Sequence, residues 1–80
     1  MLSIEHHPGF LKAVRKIRDK RLKQQVKQQV EKAISDPLSG KPMRYGRKDT
    51  RELKIGPYRL AYHYEKDIIT FLMLYHKDEQ

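Results

Sequence analysis

The sequence predicts an α+β fold: an N-terminal strand and helical hairpin packed on one face of a small, mainly antiparallel C-terminal sheet. Three observations predict it. Apolar residues in the first half recur at helical spacing, whereas those of the second half alternate. Two dipeptides, Gly56-Pro57 and Lys66-Asp67, punctuate the alternation at hairpin spacing. Eighty residues make one domain, 1–80, of a size that buries about 60% of its chain surface.

The elements follow in order. Leu2-Ser3-Ile4-Glu5 alternates and suits a short first strand. Pro8 then fits the first turn of a helix, where its missing N–H costs nothing. Phe10, Leu11, Val14 and Ile17 form an apolar stripe, and Leu22 arrives out of phase, which puts a break near Asp19-Lys20. Leu22, Val26, Val30, Ala33 and Ile34 mark a second helix that Ser35-Asp36-Pro37 ends. Residues 39–42 read as a turn, and Met43-Arg44-Tyr45 as a short strand or a loop.

A meander follows over 50–55, 58–65 and 68–75. With two-residue turns throughout, Leu53, Ile55, Tyr58, Leu60, Tyr62, Tyr64, Ile69, Phe71, Met73 and Tyr75 share one face, which the helices should cover. Glu52, Lys54, Arg59, Ala61, His63, Thr70, Leu72, Leu74 and His76 share the other. Here Lys54 sits directly across from Arg59. At ~5 Å and an effective dielectric of ~20, that repulsion is on the order of 3 kcal/mol, less if both tips are solvated. Either the pair is held for an anion, or it is a solvated pair that Glu52 relieves.

Charge points the same way. Eighteen Lys and Arg against ten Asp and Glu give a net +8, a field that attracts polyanions or an acidic partner. Nine cations face two acids over residues 12–32. That stretch is either a solvated face or a surface for phosphates, whose neutralisation dominates such affinity. Cysteine is absent, so a disulfide framework and a Cys-based zinc site are excluded. His6-His7 has no acidic or Cys ligand at metal spacing, so no metal or other cofactor is expected. The longest apolar-rich run, Ile68 to Tyr75, is too short to span a bilayer, and a cytoplasmic protein is expected.

Gly56-Pro57-Tyr58-Arg59-Leu60-Ala61-Tyr62 resembles the G-x-Y-R-hydrophobic-x-Y signature of the RelE/ParE superfamily of type II toxins. Asp36-Pro37 followed by Gly40-Lys41 resembles the stretch leaving that family's second helix, and Leu74-Tyr75-His76-Lys77 its terminal hydrophobic-x-His-Arg/Lys. The order strand, helical hairpin, three-stranded meander is similar too, so the resemblance covers nearly the whole chain. It implies a RelE-like fold and a ribosome-dependent endoribonuclease that cuts mRNA in the ribosomal A site. The implied partners are a cognate antitoxin, the ribosome and mRNA, without a membrane.

Carried over by position, Arg59 matches the signature arginine and Lys54 a basic residue on the strand before it, while His76 and Lys77 fall in the C-terminal basic segment. RNA cleavage by its own 2′-hydroxyl needs a proton acceptor there, a donor at the leaving 5′-oxygen, and positive charge on the phosphorane-like transition state. Arg59 and Lys54 suit the charge role and His76 the proton shuttle. Glu52 stands where some family nucleases have lysine, either as a general base or as a neutraliser of Lys54 and Arg51. Candidate RNA contacts are Arg44, Arg47, Lys48, Arg51 and His63, with Lys16, Lys20, Lys23 and Lys27 on the helices.

One feature departs from the family. RelE-like toxins often carry an aromatic residue, usually Tyr, just past the terminal basic pair, and this chain ends Asp78-Glu79-Gln80. That role is vacant unless Tyr75 or an early aromatic fills it. Two other classes therefore stand beside the nuclease: a ParE-like inhibitor of DNA gyrase, and a non-catalytic domain that binds nucleic acid or an antitoxin.

Overall fold

Local chemistry sets the helix boundaries. The computed structural model describes residues 2–43 and 49–79. Strand β1 spans Ser3–His6, and His7 caps the helix that follows, its Nδ1 accepting the Gly9 N–H at 3.0 Å. Helix α1, Pro8–Arg15, has its proline in the first turn as expected. The break falls where the phase change put it: Asp19 caps α2, Lys20–Ser35, by accepting the N–H groups of Arg21 and Leu22 at 2.9 and 3.3 Å.

The second half is β2 (Lys41–Pro42), β3 (Thr50–Ile55), β4 (Tyr58–Glu65) and β5 (Ile68–His76), followed by a 3₁₀ turn at Lys77–Glu79. The five strands form one sheet in the order β1-β5-β4-β3-β2. β1 runs parallel to β5 and every other pair is antiparallel. Residues 41–42, read as part of a turn, instead pair with Glu52 and Arg51 as a minimal edge strand. Both hairpin turns use left-handed backbone: Gly56 at φ 56°, and Lys66 and Asp67 at φ 51° and 62°. No helix among the described residues is long and apolar enough to cross a membrane.

The β3–β4 register is the one expected, with Lys54 opposite Arg59. The β4–β5 register is not. Pairing starts as Glu65↔Ile68 and reaches Tyr62↔Phe71, but then jumps to Ala61↔Met73. Leu72 is the extra residue of a β-bulge, and beyond it every β5 side chain is displaced by one position. This corrects four assignments. Leu74 is buried with the core at 8% exposure, whereas Met73 is 52% exposed. Tyr75, opposite Arg59, joins the open face, and His76, opposite Tyr58, moves to the helix-facing side.

The core lies between the sheet and the two helices. Phe10, Val26 and Ala33 pack against Leu53, Ile55, Leu60, Tyr62, Ile69, Phe71 and Leu74. Phe10 stacks on Phe71 at 5.5 Å, and His6 extends the stack at 5.8 and 5.7 Å from those rings. A further tie joins α2 to β3 through the Gln29 side chain, which donates to the Lys54 carbonyl at 2.8 Å.

Tyr62 fastens the chain leaving α2. Its side chain is fully buried, its hydroxyl donates to the Pro37 carbonyl at 2.8 Å, and it accepts the Gly40 N–H at 3.0 Å. Position 40 must be glycine, because a Cβ there would lie 2.6 Å from the Tyr62 oxygen. Tyr62→Phe leaves a buried donor and an acceptor unpaired, so the expected loss is about 1–3 kcal/mol. Urea unfolding measures it; an unchanged midpoint would show that the hydroxyl clasp contributes nothing.

Candidate nucleic-acid interface

The open face presents its side chains in rows across β3, β4 and β5. One row is Lys54, Arg59 and Tyr75. The next is Glu52, Ala61 and Met73, and the far end carries Thr50, His63 and Thr70. Alternation along each strand puts these side chains on the side away from the helices. The first two rows thus set two cations, a carboxylate and a phenol on a floor of Ala61, Leu72 and Met73.

Each polar group has a defined place. Lys54 is exposed. Arg59 is half-buried and folds toward its own turn, one Nη1 donating to the Gly56 and Tyr58 carbonyls at 3.0 and 2.9 Å. These two acceptors fix one corner of the guanidinium; among the described residues its remaining N–H groups donate to nothing. Glu52 does not pair with either cation among the described residues: its Oε2 accepts the Tyr75 hydroxyl at 3.0 Å. Such a site can bind an anion through Lys54 and Arg59 and accept a proton through Glu52.

Other sequence-predicted residues go elsewhere. His76 packs edge-on against Tyr58 at 5.4 Å, and its Nδ1 accepts the Asp78 N–H at 3.2 Å with the Asp78 carboxylate 3.5 Å away. It stands at the strand end, on the other side of the sheet from Arg59. Lys77 opens the 3₁₀ turn, its backbone N–H bonded to the Pro57 carbonyl. Arg51 lies opposite Tyr62, and its Nη1 donates to the Leu38 and Gly40 carbonyls at 3.3 and 2.8 Å. It braces the loop after α2. His63 sits 3.8 Å from a Glu65 oxygen, and Asp49, His63 and Glu65 bring one donor atom each within 4.8 Å of one another. That trio can take a cation, and its two carboxylates oppose phosphate there. Arg44, Arg47 and Lys48 lie outside the described residues.

A groove runs from the open face to the helices. It is lined by Lys12, Lys16, Arg18 and Arg21 of the helical half, Lys41 of β2, and Glu52, Tyr75 and His76 of the sheet. Of the helix lysines expected to touch RNA, Lys16 lines this groove; Lys20, Lys23 and Lys27 are exposed and do not. Lys41 is not among the expected contacts, and Tyr75 is expected there only as a substitute for the family's terminal aromatic. Lys41 sits in a stretch read as a turn, and Tyr75 reaches the site only through the bulge.

A family model described as the ParE toxin of the type II toxin–antitoxin system parDE matches residues 4–80. This chain belongs to the ParE toxin family. As a member, it shares the RelE/ParE fold with solved toxins of low sequence identity. The intact Escherichia coli RelBE toxin–antitoxin complex aligns at 18% identity and TM-score 0.78, over 92% of this chain and 94% of that one. The RelBE2 complex of Mycobacterium tuberculosis gives 22% and 0.78, over 94% and 96%. The E. coli DinJ–YafQ complex gives 16% and 0.79, over 99% and 97%. No curated protein matches the chain in sequence.

The cation pair of this ParE-family chain carries a stability signature. Lys54→Gln removes a cross-strand repulsion, so it should raise stability by about 0.3–1 kcal/mol at low salt. The gain should exceed that of Lys27→Gln on the exposed face of α2 and shrink as salt screens the pair. Urea midpoints at two salt concentrations measure both effects. A lower midpoint for Lys54→Gln at low salt would mean the pair is already relieved.

Proposed function

We propose that this chain is a type II toxin that acts as a ribosome-dependent endoribonuclease, cutting mRNA in the ribosomal A site. The observation that carries the reading is the Lys54–Arg59 pair, held in register on the open face with a carboxylate beside it. Like charges paired across strands cost stability. A fold that retains them on rigid strands offers a pre-organised anion site, and the scissile phosphate is the anion the chemistry needs.

In this reading Arg59 and Lys54 stabilise charge on the phosphorane-like transition state, and Lys54 gives a proton to the departing 5′-oxygen as its bond to phosphorus breaks. Glu52 accepts the 2′-hydroxyl proton, so the products are a 2′,3′-cyclic phosphate and a 5′-hydroxyl end. Glu52 takes the acid–base role rather than His76, because Glu52 lies on the cations' face one row from them and His76 lies on the other side of the sheet. The basic groove holds flanking RNA. The solved complexes of similar fold pair their toxins with RelB or DinJ antitoxins. A cognate antitoxin with an acidic segment that folds on binding suits the +8 surface in the same way.

Primer extension on an mRNA during cell-free translation tests the reading. Cuts in frame with codons, only when ribosomes are present, are expected. Arg59→Ala should lower cutting by about 10²-fold, the usual cost of losing one transition-state donor. The ParE family model favours a second reading, inhibition of DNA gyrase without RNA chemistry. Intact mRNA with blocked supercoiling would decide for that one.

A further inference from the structure

Glu52 has two cations within reach and bonds to neither. Lys54 lies two residues along the same strand, and Arg59 is the diagonal neighbour across the β3–β4 ladder. Both positions are about 7–8 Å away between backbones, a gap that a glutamate and a lysine or arginine close easily. Yet the carboxylate reaches past them to a phenol on the third strand. Tyr75 pairs with Arg59 on β4, whereas Glu52 pairs with Ala61. The 3.0 Å contact therefore spans β4 itself, two inter-strand spacings of about 4.8 Å. Ala61 makes that crossing possible, since any larger residue in the middle of the row would stand between them.

We propose that Tyr75 is a positioning residue that holds Glu52 away from Lys54 and Arg59, keeping the cation row open to phosphate. The inference rests on the nuclease reading for the identity of the anion. Its logic is electrostatic. A carboxylate ion-paired with Arg59 or Lys54 would cancel the charge that a phosphate must meet and would lose its own capacity to take a proton. A charge-assisted hydrogen bond from a half-buried phenol competes with an exposed, salt-screened ion pair. Oε2 is engaged by Tyr75, and Oε1, which bonds to no other described residue, can take a proton from the substrate. The bulge makes the clasp possible: without the extra Leu72, position 75 would face the helices.

The test uses binding, so it does not depend on cleavage. The probe is a short oligoribonucleotide carrying 2′-O-methyl groups throughout, which cannot be cut, followed by fluorescence anisotropy at fixed low salt. Tyr75→Phe keeps the ring and removes the hydroxyl. Freed to pair with a cation, Glu52 should then weaken binding about fivefold, roughly the worth of a surface ion pair. In the Glu52→Gln background the same Tyr75→Phe change should have no effect, because no carboxylate remains to swing across. An equal loss in both backgrounds would overturn the proposal and make Tyr75 a direct RNA contact; no loss in either would overturn it too. Lys54→Gln and Arg59→Gln test the underlying reading separately. If neither weakens binding, the cation row is not the anion site. If both do while Tyr75→Phe stays insensitive to Glu52, the site stands and the clasp falls.

Discussion

A single extra residue in β5 governs what the sheet presents to its surroundings. Leu72 has no partner of its own on β4, so the pairing passes from Tyr62↔Phe71 to Ala61↔Met73 in one step. The core and the site both depend on this shift. Toward the helices it turns Leu74 inward, where it closes the apolar layer above Leu60. Toward solvent it places the Tyr75 phenol in line with Arg59 and Lys54, within reach of Glu52. A regular strand would have buried the phenol and exposed the leucine.

The rest of the face is built on rigid backbone. The tight turn at Gly56-Pro57 fixes Lys54 against Arg59, and the turn's own carbonyls take one nitrogen of the guanidinium. The opposition of two cations costs stability that the apolar layer beneath must offset. That layer is anchored at both ends: Tyr62 and Arg51 tie down the chain after α2, and the Phe10–Phe71 stack ties α1 to β5. The cation row on this sheet therefore draws on core packing on its other face. The basic groove adds charge without strain, because its cations come from elements that are solvated anyway.

Much of the fold was legible in the sequence. The helix break at Asp19 is visible because a capping aspartate coincides with a phase change in the apolar stripe. The β3–β4 register is visible because Gly56-Pro57 admits one tight turn. The bulge was not visible. Ile68 to Tyr75 is apolar on both faces, so its alternation says nothing about where one residue is left over. The error in register moved His76 onto the candidate site and took Tyr75 off it. Lys54, Arg59 and Glu52 lie on the face expected of them because they belong to the hairpin whose register the turn fixes. The role of Arg51 was hidden for a different reason: its partners are the Leu38 and Gly40 carbonyls, and backbone acceptors leave no mark in a sequence.

The register of β4 against β5 is the claim on which site and core both stand, and cross-strand backbone NOEs report it directly. Contacts that pair Leu60 with Leu74 and Arg59 with Tyr75, continuous with Tyr62 opposite Phe71, are expected. Contacts pairing Leu60 with Met73 and Arg59 with Leu74 would mean an unbulged strand. They would return His76 to the open face and dissolve the Glu52–Tyr75 clasp.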